Sequence, residues 1–573
     1  MGGVVGCAGV PVARARELMD RMLGADVALG RPARTAGSMA SFGELDVDIA
    51  AEGDDALAIA GYVRRGDDAL GARELLALWR RRGADLLPSL DGEHAIAVRV
   101  GGTTTVVRDR YGRRPLYVAE LPRGGAAFST AIGPLLRAGA AVHVDRDAVV
   151  RSLVLGYVPA PATAVSGVQQ VPAGEAWTLS PHSRRTRWYT PRERVDLRRP
   201  LGRAARALDA AITRAVERAL PPSGRIGAFL SGGIDSSLVL ARVHEAGREV
   251  DAFTLHFGDT LPGELRYARA VAEHLGVRHH VLELDARRFV DGIEPALTHL
   301  EDLLSEPIAV PNFLLAREAS RTCDVLFTGE GGDPSFGGPK NIGMVLALAY
   351  GRRPLAPSLE QAYMTSHHHL ADDLDEALAP AWRRAFDDEA MAEMLRANVE
   401  RSPGRGTTFV GGLMRANVAL KGASNILVKV AKMVGAHDVA LRSPLFDAEV
   451  VELALTIPPW QKLWGTDEKT VLKRAVARSL PRAVVDRSKR GMAVPLRAWF
   501  GGPLGELARD TLTQRSVRER GIFRWEYVER LLRLERLPTD LARSRTADKL
   551  WLVLVTELHQ RALERLAPKR RAA

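Results

Sequence analysis

The residues best suited to chemistry form one short stretch, Phe229-Leu230-Ser231-Gly232-Gly233-Ile234-Asp235-Ser236-Ser237. An apolar run that ends at Leu230 predicts a buried strand, and a second run that begins at Leu238 predicts a helix. Glycines at such a junction let backbone amides approach an anion closely, and a helix N-terminus favours negative charge. The serines add hydroxyl donors, and Asp235 can ligate a Mg²⁺ ion that bridges phosphates. No Gly-Lys-Ser/Thr follows, so this phosphate loop is not of the Walker type.

A second glycine-rich loop carries two more carboxylates. It runs from Thr328 to Asn341 after another apolar run, and five glycines in eleven residues imply a tight turn that lets groups approach closely. Its acidic residues are Glu330 and Asp333. Two carboxylates, Asp235 and Asp333, placed around a Mg²⁺ ion would offset the charge that grows on a leaving pyrophosphate.

The elements that must position these loops alternate between strand and helix. The predicted strands are Ile226–Leu230, Asp251–Phe257, His280–Glu283 and Val325–Thr328, and the predicted helices between them include Ser237–Ala246 and Glu264–Leu275. This alternation predicts a doubly wound parallel sheet. Ligands of such sheets bind at the carboxyl ends of the strands, where both loops lie.

The N-terminal part of the chain follows a different pattern. Short apolar runs at Ala56–Val63, Ala95–Val100 and Thr103–Val107 predict strands, and Leu75–Arg82 has helical spacing. The segment Pro181–Pro200 is rich in Arg, Pro and Ser, which predicts an interdomain linker. A helix is predicted after it, from residue 201 to about 220, and residues 341–421 are predicted to be mostly helical.

Composition narrows the class of protein. The chain has 573 residues, which predicts two or three domains, and a net charge of +11 from 80 basic and 69 acidic residues. The basic residues form no long tract, so nucleic acid is not indicated as a partner. No run reaches the roughly 18–20 apolar residues of a membrane span. Only Cys7 and Cys323 are present, which excludes a disulfide framework and predicts a reducing, cytoplasmic location.

The first loop resembles the pyrophosphate loop, Ser-Gly-Gly-x-Asp-Ser, of ATP pyrophosphatases, which cleave ATP to AMP and pyrophosphate. The second resembles the Gly-Glu-Gly loop of asparagine synthetases. Similar strings occur in the N-terminal part at Asp91–Ala95, Arg108–Tyr117 and Phe128–Thr130, and near the C-terminus at Asn425–Met433, Arg442–Asp447 and Arg487–Met492. The resemblance covers nearly all of the chain outside residues 341–420.

This resemblance implies a fold and a set of site residues. The fold class is α/β: an N-terminal, degenerate glutaminase-type α+β sandwich over residues 1–195, and an ATP-pyrophosphatase-type synthetase domain with a doubly wound parallel sheet and helical additions over residues 200–565. ATP would be bound by residues of the two loops and one strand end: Leu230, Ser231, Gly232, Gly233, Asp235, Ser236, Ser237, Leu255, Phe257 and Gly329. Leu255 and Phe257 would line the adenine, and Asp235 and Asp333 would hold Mg²⁺.

Two residues are expected to act on the substrate. Glu330 falls where asparagine synthetases have Glu and where β-lactam synthetases have Tyr, and we expect it to position the incoming amine and help remove its proton. Lys489, in the Arg-x-Lys string, is expected to contact the substrate carboxylate and the α-phosphate.

One departure from the family affects the choice of substrate. The resembling glutaminases begin Met-Cys, whereas this chain has Gly2 at that position. Without the thiolate there is no nucleophile to attack glutamine, and Cys7 lacks the free α-amine that such a nucleophile uses as its base. The domain is therefore expected to be structural, so that the amine belongs to the substrate and not to ammonia.

Intramolecular amide formation within this superfamily is performed by β-lactam synthetases and by the macrolactam synthetases, or cyclases, of lasso peptides. The Gly331–Asn341 string and Glu330 resemble the lasso cyclases. The expected substrate is then a core peptide whose α-amine attacks an Asp or Glu side chain, and a leader peptidase and a leader-binding protein are expected partners. Alternatives are a small-molecule β-lactam-type cyclase, an ammonia-dependent asparagine synthetase, and an ATP-binding scaffold without catalysis.

Overall fold

The structure is a computed structural model. It describes residues 3–28, 33–42, 46–141, 143–258, 264–338, 341, 360, 363–364, 369–400, 408–465, 467–487, 491, 493–537 and 545–566. Lys489 and Gly2 therefore lie outside the described residues, as do Pro339 and Lys340 of the second glycine-rich loop. None of the helices within these ranges is long and apolar enough to cross a bilayer.

Alternating apolar and polar residues build two antiparallel sheets in the N-terminal part. The strands are β1 (Gly3–Ala8), β2 (Ala33–Ala36), β3 (Met39–Phe42), β4 (Val47–Glu52), β5 (Asp55–Arg65), β6 (Asp68–Leu70), β7 (Asp91–Val100), β8 (Thr103–Arg108), β9 (Tyr117–Glu120), β10 (Ala126–Ser129), β11 (Val168–Gln170), β12 (Glu175–Ser180) and β13 (Arg184–Arg187). One sheet has the order β11-β9-β10-β1-β3-β2. The other has the order β13-β12-β8-β7-β5-β4, with β6 paired to β5. Small and β-branched side chains from both sheets, such as Val4, Ala58 and Val106, share one buried cluster, as expected of a sandwich.

Three of the described helices cover the outer faces of this sandwich: Val12–Ala28, Ala72–Arg82 and Ile132–Arg137, with a 3₁₀ turn at Gly83–Ser89. A fourth helix, Arg146–Leu155, packs into the large core cluster of the C-terminal part. The predicted helix near Leu75 and the three predicted strands are confirmed, each somewhat longer than its apolar core. The helix Val12–Ala28 was not predicted, because apolar pairs such as Leu18–Met19 and Met22–Leu23 are separated by Arg, Glu and Asp on its exposed side.

The C-terminal part is built on a five-stranded parallel sheet. Its strands are β14 (Ile226–Phe229), β15 (Val250–His256), β16 (His279–Glu283), β17 (Val325–Phe327) and β18 (Ala440–Arg442), in the order β16-β15-β14-β17-β18. The order changes direction on either side of β14, so the loops after β14 and β17 lie side by side at the carboxyl edge. A separate hairpin pairs β19 (Leu463–Trp464) with β20 (Asp467–Glu468). The predicted doubly wound sheet is confirmed, and β18 at its edge is a further strand that was not predicted.

Helices pack on both faces of this sheet and extend beyond it. The α-helices are Leu201–Ala219, Ile234–Glu245, Leu265–Leu275, Ala286–Leu300, Ala309–Ala319, Gly332–Phe336, Leu374–Ala377, Pro380–Arg383, Asp388–Glu400, Phe409–Ala416, Leu427–Gly435, Ala448–Ala454, Thr470–Val476, Arg482–Val485, Leu496–Trp499, Pro503–Thr511, Gln514–Arg520, Trp525–Leu532 and Arg545–Leu566. Short 3₁₀ turns lie at Ala371–Asp373, Pro444–Phe446 and Pro459–Gln461, and Asn417–Ile426 is a π-helix.

The segment predicted as an interdomain linker is packed between the two parts. Residues Arg184–Arg187 form β13 on the edge of a sheet. Farther on, the buried Glu193 carboxylate accepts hydrogen bonds from the Thr408 backbone amide (2.9 Å) and hydroxyl (2.6 Å). The segment is therefore held at β13 and at Glu193, although most of its residues are exposed.

The Arg108-Asp109-Arg110 string joins the two parts. The buried Arg108 guanidinium donates to the carbonyls of Gly112, Arg114 and Val171, and also to that of Ala423 in the π-helix at 2.8 Å. The adjacent Asp109 carboxylate accepts three backbone amides of the turn that follows it. The string thus fixes one turn and docks it on the C-terminal part.

A buried ionic cluster also contributes to the interface between the N-terminal and C-terminal parts. The Asp46 carboxylate accepts two hydrogen bonds from Arg442, at 2.6 and 2.7 Å, and another from Arg114. Burial by itself would raise the pKa of Asp46, but the guanidinium groups of Arg442 and Arg114 outweigh it and hold the pKa well below its usual range. This carboxylate therefore stabilises the folded protein whenever it is ionised.

We predict that Asp46→Asn destabilises the protein by about 3–5 kcal/mol at pH 7, because it leaves two buried guanidinium groups without their carboxylate. The folded pKa lies below the unfolded value of about 3.9, so the contribution is complete above that pH and is lost as the pH falls below it. Thermal melting from pH 3 to pH 8 checks this. Asp54→Asn, at an exposed turn, is the control; equal melting of the Asp46 variant and the wild type at pH 7 would contradict the prediction.

Candidate active site

The two glycine-rich loops meet in one cavity of about 430 Å³ at the carboxyl edge of the parallel sheet. Ser231, Gly233, Asp235 and Ser236 line it from the first loop and its helix. The second loop contributes Thr328, Gly329, Glu330, Gly331 and Asp333. The structure thus brings together most of the residues predicted to bind ATP.

The first loop is held in shape by its own hydroxyl groups. The Ser231 amide donates to the Ser236 hydroxyl at 3.1 Å, and the two serine hydroxyls are 3.0 Å apart. The Gly233 amide donates to the Ser231 hydroxyl at 3.3 Å. These bonds place backbone amides and hydroxyls at the N-terminus of helix Ile234–Glu245, where a phosphate is favoured.

Glycines are required where the two loops touch. A side chain at Gly329 would collide with the backbone of Asp235 and Ser236, and one at Gly332 would collide with the Asp235 carboxylate. Gly331 also has a φ of +113°, which a residue with a side chain rarely adopts. The glycine pattern therefore serves the close approach of the loops as well as access for phosphate.

A lysine lies between the two carboxylates that were predicted to bind the metal. The Lys469 ammonium is in ion-pair contact with both Asp235 and Asp333. Lys469 and Asp235 are buried, whereas the Asp333 side chain is 46% exposed and faces the cavity. No role was predicted for Lys469, because the local string Lys469-Thr470 does not show where the lysine side chain points.

Asp235 and Asp333 are chemically suited to Mg²⁺. Together with Lys469 the pair has a net charge of −1, and carboxylates are the ligands that Mg²⁺ prefers. Within the described ranges no group of three or more His, Cys, Asp or Glu side chains could hold a metal alone. A Mg²⁺ ion usually takes one or two protein carboxylates and completes its shell with water and substrate phosphates.

Apolar residues form the part of the cavity suited to a purine ring. Leu255 lines it as predicted, together with Phe229, Leu230 and Phe253. Phe257 does not: strand β15 ends at His256, and the Phe257 ring packs in the core against Trp499, with ring centroids 5.7 Å apart. Its predicted contact with adenine is therefore corrected. Phe229 and Phe253 were missed because strand residues of this kind are usually core.

Two predicted phosphate-loop residues lie behind the cavity wall. Gly232, with a φ of +68°, packs against helix Leu265–Leu275 so closely that a side chain would strike Ala268. Its carbonyl accepts a hydrogen bond from Arg487 at 3.0 Å. Ser237 is fully buried in the first turn of its helix. Both support the loop and do not border the space that a ligand would fill.

Glu330 borders the cavity, as predicted, and its amide donates to the Thr328 hydroxyl at 3.3 Å. Lys489 lies outside the described residues, but Arg487 and Gly491 on either side of it both line the cavity. Arg487 is anchored by Glu264 at 2.9 Å and by the Tyr267 ring at 4.4 Å. The role of Lys489 stays a prediction.

A second charged cluster lines the same cavity. The Glu306 carboxylate contacts the ammonium groups of Lys429 and, at 3.1 Å, of Lys421. Two ammonium groups against one carboxylate leave a net charge of +1, which favours a further anionic group. No motif connects these residues, which come from a loop and two helices, so the sequence did not predict the cluster.

The N-terminal domain has no exposed thiol of its own among the described residues. Cys7 is fully buried in β1, and burial, opposed only in part by Arg14, raises its pKa to about 12. The Phe42 ring lies so close to Gly3, next to the N-terminus, that a side chain at position 3 would collide with it. These observations agree with the prediction that Cys7 does not act as a nucleophile.

Comparison with known protein families identifies both domains. The sequence model of asparagine synthase matches residues 207–561, more than half of the chain, and that of the glutamine amidotransferase domain matches residues 71–190. The latter match does not include residues 1–70, where a nucleophile would lie.

Curated proteins are similar over most of their length. A putative glutamine-hydrolysing asparagine synthetase of Mycobacterium tuberculosis (strain ATCC 25618 / H37Rv) is 28% identical over 480 residues, 76% of this chain and 72% of that protein. Asparagine synthetase 1 of Bacillus subtilis is 24% identical over 78% of this chain and 73% of its own. The carboxyethyl-arginine beta-lactam-synthase of Streptomyces clavuligerus is 27% identical over 76% of this chain and 69% of its own.

Solved structures give weaker similarity. An allosteric regulatory enzyme of purine biosynthesis has a TM-score of 0.24 and 11% identity, over 49% of this chain and 80% of its own. The NH3-dependent NAD synthetase of Campylobacter jejuni has a TM-score of 0.19 and 17% identity, over 38% of this chain and 95% of its own. Scores this low assign no function.

We predict that Lys469→Met lowers the stability of the protein by about 3 kcal/mol, because two carboxylates then face each other without a cation. Added Mg²⁺ is expected to raise the melting temperature of this variant more than that of the wild type, since the ion can replace the missing charge. Thermal melting with 0–10 mM Mg²⁺ (roughly the range in which weak carboxylate sites fill) measures both effects. Lys473→Met, one helical turn away, is the control, and an equal response of variant and wild type to Mg²⁺ counts against the prediction.

Proposed function

The chain belongs to the asparagine synthase family, and we propose that it is a macrolactam synthetase. It would use ATP to activate an Asp or Glu side chain of a core peptide and close an amide with the N-terminal amine of the same peptide. The family match and the relatives support the coarser part, an ATP-dependent, amide-forming ligase. That the substrate is a peptide is the finer part of the proposal. The observation that carries it is a cavity lined by both glycine-rich loops, in a chain whose amidotransferase domain has Gly at position 2 and a buried Cys7.

The activation step uses the residues of the two glycine-rich loops. A carboxylate oxygen of the substrate attacks the α-phosphorus of ATP, and pyrophosphate leaves. Ser231, Ser236 and the helix N-terminus are placed to bind the phosphates. The Lys469 ammonium neutralises charge beside them, and a Mg²⁺ ion held by Asp235 and Asp333 would neutralise more of the charge on the leaving pyrophosphate.

The second step forms the amide. The substrate amine attacks the acyl carbon, AMP leaves, and the amine nitrogen loses a proton. Glu330 lines the same cavity as the phosphate loop and supplies a carboxylate to orient the amine and accept that proton. The net change in the peptide is the loss of one water.

The source of the amine favours an intramolecular reaction. Position 2 is Gly and Cys7 is buried, which supports the proposal that the N-terminal domain hydrolyses no glutamine and that the amine belongs to the substrate. The net positive cluster of Lys421, Lys429 and Glu306 gives the acceptor carboxylate an electrostatic reason to enter the cavity. A tethered amine also removes much of the entropic cost of bringing the reactants together.

A ring closed around a threaded tail demands that the peptide be held folded, at a cost of roughly 1–2 kcal/mol per ordered backbone residue. A leader peptidase and a leader-binding protein would prepare and deliver such a peptide. A cytoplasmic location is part of the proposal, and both cysteines are unpaired, as it requires.

The second candidate is a small-molecule cyclase. It is favoured by the 27% identity to the beta-lactam-synthase, a protein named for forming such a ring. An ammonia-dependent asparagine synthetase needs only free ammonia and aspartate, and a scaffold without catalysis would bind ATP and release no AMP.

The test uses the purified chain, ATP, Mg²⁺ and a synthetic leaderless core peptide from whatever precursor gene is found beside that of this protein. We expect the peptide to lose the mass of one water with an equal amount of AMP formed. AMP release with a small amino acid and none with the peptide would assign the second candidate instead. AMP release with aspartate and ammonia would assign the third, and no AMP under any condition would leave only the scaffold.

We predict that Glu330→Gln lowers cyclised product at least about 100-fold, a typical contribution of a general base, while ATP binding is unchanged. The amide keeps the size of the side chain but cannot accept the proton. Product by mass spectrometry and ATP affinity by calorimetry separate the two effects. Glu273→Gln, exposed on helix Leu265–Leu275, is the matched control, and unchanged turnover of the Glu330 variant would refute this role.

We also predict that the purified protein releases no glutamate from glutamine, and that glutamine does not stimulate AMP formation. A glutamate assay with a glutamine-hydrolysing asparagine synthetase as positive control measures this. Glutamate release above the protein-free rate would restore a catalytic role to the N-terminal domain.

A further inference from the structure

A second cavity, of about 360 Å³, lies between the N-terminal domain and the helical part of the C-terminal domain. Tyr111, Trp177 and Tyr189 line it from one side, and Met394 and Leu420 line it from the other. The volume falls within the range of small-ligand sites, which commonly form at domain interfaces. None of the residues assigned to ATP or to the reacting groups borders it.

The aromatic walls of this interdomain cavity are fixed by their own polar atoms. The Tyr111 and Tyr189 hydroxyls are 2.6 Å apart and their rings meet edge to face, with centroids 5.5 Å apart. The Trp177 indole nitrogen donates to Glu175 at 2.9 Å. Rigid aromatic surfaces with their polar groups already bonded are suited to apolar, aromatic or proline side chains. Met394 on the opposite wall can adapt to different shapes.

Three arginines and one glutamate of the described part of the chain line this cavity. Arg110 is paired with Glu452 at 2.8 Å and Arg187 with Glu175 at 2.6 Å. Arg185 instead stacks over Trp177 at 4.1 Å and donates to the neutral Gln169 side chain at 2.6 Å. No carboxylate among the residues that the structure describes forms an ion pair with it. Arg185 is therefore placed to meet a carboxylate that a ligand brings.

The π-helix Asn417–Ile426 separates the interdomain cavity from the active-site cavity. Asn417, Lys421 and Ile426 line the active site, whereas Ala419, Leu420, Ala423 and Ser424 line the interdomain cavity. A helix with its side chains is about 10–12 Å across. An extended chain covers about 3.5 Å per residue, so a few residues span the distance from one cavity to the other.

The N-terminal domain holds this dividing helix in place. The Arg108 guanidinium donates to the Ala423 carbonyl at 2.8 Å, and the Ala160 amide donates to the Ser424 hydroxyl at 3.3 Å. π-Helical geometry is uncommon and is often found at functional sites. Here it gives the shared wall two different faces, a charged one toward the active site and a small, apolar one toward the interdomain cavity.

We propose that the interdomain cavity binds a second segment of the same peptide while the reacting residues occupy the active site. The segment is extended and carries an aromatic, proline or other apolar side chain next to a carboxylate that meets Arg185. This inference rests on the proposed function. Contacts away from the reacting atoms would hold the peptide in its ring-closing conformation, which is how remote binding energy serves catalysis.

Binding is tested without ATP, so that it does not depend on turnover. Both native cysteines are buried, so a cysteine introduced by Ala419→Cys is the site that a maleimide labels. We expect saturating core peptide to slow this labelling about tenfold and a peptide cut back to its ring-forming residues to have no effect. Glu273→Cys, on an exposed helix surface, is the control that should not respond.

A kinetic test uses two neighbouring arginines of β13. We expect Arg185→Gln to raise the KM of the full core peptide about tenfold with kcat unchanged, and to leave the KM of the shortened peptide unaltered. Arg184→Gln, exposed on the same strand and absent from the cavity lining, is the matched control.

The outcomes separate this inference from the function on which it rests. AMP and cyclised peptide without protection of the introduced cysteine would overturn the second site and leave the macrolactam synthetase in place. Protection without AMP would support the site and overturn the function. Neither protection nor AMP would overturn both.

Discussion

The active site depends on one lysine that keeps two carboxylates close together. Asp235 lies in the first turn of the helix after β14, and Asp333 lies in the first turn of the short helix Gly332–Phe336 after β17. Two like charges at neighbouring strand ends repel each other, and the Lys469 ammonium offsets this by contacting both. Lys469 itself has a φ of +56°, uncommon for a residue with a side chain, so the backbone bears some strain to place it. The surrounding loops must therefore pack tightly, and glycines at 329 and 332 make that possible.

The Arg108–Tyr117 string has a structural role at the interface between the two domains. Arg108 and Asp109 satisfy buried carbonyl and amide groups that would otherwise be costly to bury, and Arg114 shares Asp46 with Arg442 of the other domain. Removing the N-terminal domain would expose these buried groups of the C-terminal domain to water.

The same interface leaves a second cavity between the two domains. A catalytic domain of this kind needs only the cavity at the sheet edge to activate a carboxylate. The additional helices and the packed segment from Pro181 to Pro200 form the walls of a second space next to it. A peptide that must be held folded while its ring closes needs more contact area than a single amino acid does.

The sequence alone determined those features of the fold and the site that depend on a local pattern of residues. The alternation of strand and helix predicted the parallel sheet, and the Gly-rich loops after Leu230 and Thr328 identified Ser231, Asp235, Glu330 and Asp333, because such loops have a fixed relation to the strand before them.

Tertiary structure decided what depends on residues distant in the chain. Lys469 lies 234 positions from Asp235 and meets it only after folding. Glu306 meets Lys421 and Lys429 in the same way, and Phe257 turns into the core because its strand ends one residue earlier. Neither a side chain's direction nor a contact between distant segments is encoded in a local motif, which is why these features required the folded chain.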